Sequence, residues 1–459
     1  MHPQAVLAIM RLTLREAVRS RVLLAVTVLL LAGLLGLPAL IPGDGTPTGR
    51  VHVLLHYALR YAVTLLAVGT MWAACASLAI ETQDRCLQLL MAKPVRRGEI
   101  WLGKWLAIIG LNAGLLAVTG LLLVGALRWA TRPAVLTPQE LQAVENQILT
   151  ARKLVLPSEE MSSTALEQRV AELIRAGRLP PEARSEKARL LAGTALRREA
   201  RTVAPGASGR WTFHLSPEMR RGQPLTLRLR FQSSRPERVT LDGEWRIGPP
   251  EAPPVQRLRR GFYPCAAVWL PLPPAAIGAD GTITAEFKNL EERMPATVIF
   301  EPDDGLQLFV HWGAFEPNLL RALLVIWCEL AFLAALGLAA GGLFSLPVAV
   351  FVSLAILVVL AFGGYIERVV ATGVFYLPHE GELPRAGPLD AAARALYRTL
   401  HVVTGPWVRL DAVNRLVEGR YIPWHAVGRA LALLVGVYAG VTVAVGLVFF
   451  HRREIAATR

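Results

Sequence analysis

The chain has 459 residues, a net charge of +14 and 53% hydrophobic residues, with a mean hydropathy of +0.41. That is too apolar for one soluble domain of this length and implies several runs of roughly 20 apolar residues, each able to cross about 30 Å of hydrocarbon as helix. The positive excess is almost all arginine and much of it flanks those runs, where it sets orientation, so nucleic acid is set aside as a partner.

The chain begins with an amphipathic stretch, AVLAIMRLTLREAVRSR, whose Val6, Ile9, Met10, Thr13 and Leu14 fall near one helical face with arginines opposite. It reads as an interfacial helix leading into a first span. Arg11, Arg15, Arg19 and Arg21 precede a long run without a small-residue cleavage pattern, so that run is an anchor rather than a cleaved signal. Six spans are expected: Val22 to Ile41, Tyr57 to Ile80, Ile100 to Leu127, Leu319 to Phe344, Leu346 to Tyr365 and Val427 to Phe450. The basic N-terminal segment, the Arg85–Lys104 stretch and the tail HRREIAATR then share the cytoplasmic side, with residues 42–56, 128–318 and 366–426 outside. Domain boundaries follow at 1–128, 129–318 and 319–459.

In the large outer segment, TPQE at Thr137 to Glu140 is a helix start, with Thr137 as N-cap, Pro138 at the first position and Glu140 completing a capping box. A second helix fits Ser163 to Ala176, stopping at Gly177, and a third follows Pro181, so residues 137–202 read as a helical hairpin or stalk. From residue 208 to 313 the period changes to two. Trp211, Phe213 and Leu215; Leu225, Leu227, Leu229 and Phe231; Val239, Leu241, Trp245 and Ile247; and Ile283, Ala285 and Phe287 alternate with polar residues between Pro, Gly and Asp turns. This is the pattern of an antiparallel β-sandwich. Trp211, Trp245 and Trp269 are the candidates for a carbohydrate site, but alternation puts Trp211 and Trp245 on apolar faces, so core is the simpler reading. The expected fold class is thus an α-helical polytopic membrane protein with an extracytoplasmic α+β insertion. Segment 366–426 is amphipathic and not apolar enough to cross, with short helices at Asp390 to His401 and Leu410 to Glu418 that either lie on the outer surface or dip between spans.

Cys75, Cys86, Cys265 and Cys328 are scattered and imply neither a disulfide framework nor a zinc site. His52 and His56 lie one helical turn apart, and with no third ligand evident an ordinary interfacial pair is the simpler reading. HEGEL at His379 lacks the second histidine of a zincin motif. Glu329 falls near the middle of the fourth span, where an unpaired carboxylate costs at least about 2.5 kcal/mol. It either marks a substrate or proton path or makes an interhelical hydrogen bond, with Asn112 as the partner to test. GxxxG spacings at Gly110/Gly114, Gly337/Gly341 and Gly436/Gly440 allow close helix packing.

The most distinctive stretch is ETQDRCLQLLMAKPVRRGEIWLGKW, Glu81 to Trp105, between the second and third spans. At helical spacing Leu87, Leu90 and Met91 form an apolar ridge bordered by Asp84, Arg85 and Lys93, and Pro94 ends the helix. A ridge of that form either docks in a partner's groove or belongs to a basic turn that only fixes orientation. LQLLMAKPVRRGEIWLGKW resembles the segment between the second and third spans of ABC-2-type permeases, the membrane subunits of one class of ABC transporters. The matching residues are Leu87, Leu89, Leu90, Lys93, Pro94, Val95, Arg97, Gly103 and Lys104, while Arg85-Cys86 departs from the family's usual Gly-Thr. The N-terminal amphipathic helix and the closing VRLDAVNRLVEGRYIPW and FFHRREI are also similar to that family. The resemblance covers roughly 1–128 and 319–459 and not the outer segment.

The resemblance implies an exporting permease in a bacterial inner membrane, as a homodimer or with a paired permease. A separate cytoplasmic ATPase would dock on Asp84, Arg85, Leu87, Leu90, Met91, Lys93, Pro94 and Arg97, and a periplasmic partner is a further possibility. This chain holds no G-x-x-x-x-G-K-[ST], so ATP and Mg belong to that partner; no cofactor and no enzymatic activity are expected in the chain itself. The rival reading is a membrane-anchored receptor or scaffold whose sandwich binds a cell-envelope partner without transport.

Overall fold

The computed structural model describes residues 2–40, 46–83, 96–132, 135–158, 163–175, 196, 199–220, 223–235, 240–291, 295–301, 304–372 and 388–452. Two compact units divide the chain: residues 1–151 with 313–459, and residues 152–312.

The first unit is helical. Helix α1 (Pro3–Arg19) buries Val6, Ile9 and Thr13, members of its expected apolar face. The chain then bends by 64° into α2 (Arg21–Leu40). Ser20 is extended at the bend, and its Oγ accepts the Val22 N–H at 3.2 Å. Next come α3 (Pro47–Gln83), α4 (Arg97–Ala130) and α5 (Pro138–Gln147). After the second unit follow α7 (Phe315–Leu343), α8 (Leu346–Ala361), α9 (Gly363–Thr372), α10 (Pro388–Arg409) and α11 (Ala412–Val417). The last helical run comprises α12 (Trp424–Ala430), a π-helical stretch (Leu431–Ala439) and α13 (Gly440–Arg452).

Among the described residues four helices are long and apolar enough to cross a membrane: Pro47–Glu81, Arg97–Ala130, Phe315–Leu343 and Trp424–Phe449. The first expected span meets that test only together with α1 as a bent pair, and the fifth, α8, is apolar but has 16 residues, about 24 Å of helix. Helix α7 is the centre of the unit: 78% of its apolar window is buried, against 17% for the last helix. A helix apolar on every face is what such a position requires. It crosses α3 closely, since a Cβ on Gly337 would meet the Ala74 Cβ at 2.7 Å and the Met71 carbonyl at 3.0 Å, and Gly341 lies on the Cys75 backbone. Of the three GxxxG spacings only this one makes such a crossing; Gly110, Gly114 and Gly440 have nothing within 4 Å. Helix α11 is not a surface helix. It is capped by Asp411, which accepts the Asn414 N–H at 3.1 Å, and it buries Ala412, Val413, Leu416 and Val417 in the core that also holds Leu59 and Leu319.

Thr137 and Glu140 form the capping box that starts α5. The bonds from the Thr137 N–H and hydroxyl hold the Glu140 carboxyl below its usual pKa. The first two helices expected there are, however, separated in the chain by a strand. Val144 and Ile148 of α5 pack in the first unit's core with Leu54 and Leu55, and strand β1 (Thr150–Val155) precedes α6 (Ser163–Arg175). The Arg152 side chain conceals this strand from sequence patterning. It is 2% exposed, with its guanidinium carbon 4.4 Å from the Phe309 ring centroid and 4.9 Å from that of Trp269. A charged residue thereby packs as an inward one. The third helix expected after Pro181 falls largely outside the described residues.

The second unit is a β-sandwich. Strands β1, β11 (Leu306–Ala314), β4 (Leu225–Leu229) and β8 (Val268–Leu272) form one sheet in that order. The other contains β3 (Ser208–His214), β9 (Thr282–Asn289), β6 (Leu241–Gly248) and β7 (Gln256–Phe262). A small third sheet joins β2 (Thr202–Val203), β10 (Val298–Ile299) and β5 (Gln232–Ser233). The registered pairings are antiparallel. Inward residues of both large sheets make one core, in which Trp245 is 0% exposed and packs 4.9 Å from Phe287 and 5.7 Å from Phe300. Trp211 joins it, stacked edge-on to Phe300, so both tryptophans are core residues.

Candidate functional site

Asp84, Arg85, Leu87, Leu90, Met91, Lys93 and Pro94 lie outside the described residues. The structure places their two flanks: α3 ends at Gln83, and Arg97 opens α4. Those flanks are joined by buried charge. Lys104, 2% exposed, donates from Nζ to Glu81 Oε1 at 2.5 Å and to the Ser77 carbonyl at 2.9 Å. Glu81 lies two residues before the end of α3 and Lys104 seven residues after the start of α4, and the crossing of the two helices sets them side by side. A buried pair of this kind contributes little net stability, because desolvation offsets its attraction, but losing one partner strands a charge.

A second carboxylate ties the N-terminal helix to the same place. Glu99, fully buried, accepts the His2 N–H at Oε1 (2.6 Å) and the Arg96 N–H at Oε2 (3.1 Å). One turn on, Gly103 lets α1 lie against α4: a Cβ there would meet the Ile9 Cβ at 2.8 Å and the Val6 carbonyl at 3.0 Å. Tryptophans complete the frame. The Trp105 indole N–H donates to the Ala331 carbonyl and that of Trp327 to the Ile109 carbonyl, each at 2.9 Å, linking α4 to α7 along its length. Around them Ala74, Leu78, Ile100, Ala331, Ala335 and Leu338 form a core in which alanines alternate with larger aliphatic residues. Helices α1, α3, α4 and α7 are therefore held together at the point where the link leaves and re-enters.

Lys104 belonged to the motif read from sequence, but its partner Glu81 and the Glu99 clamp were not singled out. The usable signal was a lysine inside an apolar run that follows a run ending in an acid.

Glu329 and Asn112 are not joined. Asn112 Oδ1 accepts the Thr70 hydroxyl at 3.1 Å, because its face of α4 meets α3. Glu329, 6% exposed on α7, has Asp411 and Arg60 as its charged neighbours. The Arg60 guanidinium donates to Asn414 Oδ1 at 2.9 Å and to Asp411 Oδ2 at 3.4 Å, tying α3 to the cap of α11. The start of α7 is tied to the chain after α11: Asn318 accepts the Ile422 N–H at 2.8 Å and donates to the Arg420 carbonyl at 2.9 Å.

The His52 and His56 rings stack in parallel with centroids 6.5 Å apart. Among the described residues no group of three or more His, Cys, Asp or Glu is placed to hold a metal. Cys75 and Cys328 are buried thiols and Cys265 is an exposed one; Cys86 lies outside the described residues.

No protein-family model, curated protein or solved structure matches the chain.

Proposed function

We propose that this chain is the membrane subunit of an ABC-2-type transporter, working with a separate cytoplasmic ATPase to export a substrate across a bacterial inner membrane. In this reading the chain spans the membrane six times, with α2 and α8 as spans one and five and both termini cytoplasmic. Two such subunits face two ATPases. ATP closes the ATPases, and residues 84–95 carry the movement into α3 and α4.

The observation that carries the proposal is the frame around that link. A turn that only fixes orientation needs arginines and nothing else. Here its flanks are locked by a buried Lys104–Glu81 pair, and Glu99 fastens α1 to the same helix start. A force applied to the link would then move α1, α3, α4 and α7 together instead of bending one helix end. The residue resemblance over Leu87 to Lys104 supplies the identity of the motor.

The test is purification of the tagged full chain from its native membrane under mild detergent. The expected result is co-purification of an ATP-binding-cassette protein, lost on Leu90→Glu while the chain still folds. Recovery without any ATPase, or retention of a cell-envelope protein alone, favours an anchored scaffold instead.

A further inference from the structure

A cavity of about 320 Å³ lies between the end of α2, the start of α3 and the end of α4, at the pole remote from Glu81 and Lys104. Its wall is apolar, with Leu34, Leu54 and Leu122 prominent, and Gly125 borders it with nothing within 4 Å of where a Cβ would stand. The rim differs in character. Arg50 is exposed there, and Trp129, 56% exposed, stands beside it. Among the described residues no carboxylate pairs with Arg50. Leu35 and Leu121 also line the cavity and are 66% and 75% exposed, so its mouth opens on an apolar outer surface.

We infer that this cavity holds one acyl chain of an anionic phospholipid, with the lipid phosphate on Arg50. The mouth opens sideways onto the surface that faces hydrocarbon when these helices lie in a bilayer, so a tail enters without crossing water. The volume is at the small end for ligand sites, enough for a single chain and not a whole lipid. The headgroup must therefore remain at the rim, where the exposed Arg50 guanidinium forms bidentate bonds to phosphate. Trp129 marks the depth, since tryptophan concentrates at the headgroup level. This inference needs only that the apolar helices lie in a bilayer; it is independent of the transporter reading.

The test reconstitutes the full chain in phosphatidylcholine vesicles carrying a minor fraction of phosphatidylglycerol with a photoactivatable group on its tail, and maps the adducts by mass spectrometry. Phe351 and Val358 on α8, 73% and 54% exposed, report contact with bulk lipid. Labelling of residues 121–130 should exceed that reference several-fold. Arg50→Gln should reduce the preference for the photoactivatable phosphatidylglycerol over its phosphatidylcholine counterpart by about fivefold, the worth of one interfacial arginine. Gly125→Phe, which fills the cavity from an unobstructed position, should bring labelling down to the reference. Labelling of 121–130 equal to that of α8, an unchanged lipid preference in Arg50→Gln, or full labelling in Gly125→Phe would each overturn the assignment.

Discussion

Lys104→Met leaves the Glu81 carboxylate without its cation at a site from which water is largely excluded. Lys104 is 2% exposed and the Glu81 side chain 18%. Glu81 Oε2 is already buried with no hydrogen-bond partner among the described residues, so nothing there takes over the lost charge. Removing one member of a fully buried pair costs about 3–5 kcal/mol, and the partial exposure of Glu81 places this case near the lower figure, about 3 kcal/mol. Glu81→Met should cost a similar amount, since it strands an ammonium whose remaining acceptor is the Ser77 carbonyl. Replacing both residues by methionine removes the two charges together and should return the chain to within about 1 kcal/mol of wild type. The assay is reversible unfolding of the full chain in mixed detergent and dodecyl sulfate micelles, followed by helical circular dichroism. Additive losses, leaving the double variant about 6 kcal/mol less stable, would mean that the two residues act separately and that the flanks are not locked by this pair.

Other positions give sharp expectations. Gly341→Leu drives a side chain into the Cys75 backbone and should destabilise the first unit by about 1–3 kcal/mol, whereas Gly110→Leu, into open space, should change stability by less than about 0.5 kcal/mol in the same assay. Asn289 is fully buried and donates to the Val203 and Ala296 carbonyls at 3.2 and 2.9 Å, so Asn289→Leu should cost about 2–3 kcal/mol, read as faster hydrogen exchange in β9. Bonds from the Thr282 hydroxyl and N–H hold the Asp280 carboxyl below its ordinary value of 3.8. Its contribution is therefore complete above that value and lost as pH falls through the lower folded one. Asp280→Asn should flatten the acid-side increase in exchange at the start of β9, and an unchanged pH profile would remove Asp280 from it.

Much of this fold was legible in the sequence, for physical reasons that differ between elements. The long apolar runs became helices because a stretch such as Leu319 to Leu343 satisfies its own backbone while burying every face. Alternation found β3, β4, β6 and β9 because each shows one face to the aromatic core and one outward; Phe213, Leu227, Trp245 and Phe287 are all buried. It did not separate out β11, where Leu306 to Val310 are buried on both faces and no alternation survives. Nor did it find β7, an edge strand in which Arg260 interrupts the inward face carrying Leu258 and Phe262. Strand β1 was missed because a buried arginine on aromatic rings counts as polar in a sequence and as apolar in the core. At the candidate site the motif lysine was visible, but its partner was not, since pairing between helices depends on register rather than composition. Glu329 was recognised as unusual and assigned the wrong neighbour for the same reason: Asn112 faces Thr70.

The reading stands or falls on what residues 84–95 touch. A photo-crosslinking amino acid at Leu90, activated in native membranes and followed by mass spectrometry, answers this directly. The expected product is an adduct between this chain and an ATP-binding-cassette subunit, with Lys93 reached by amine reagents only from the cytoplasmic side. An adduct-free chain at Leu90, or Lys93 labelled from outside the cell, would contradict the proposal.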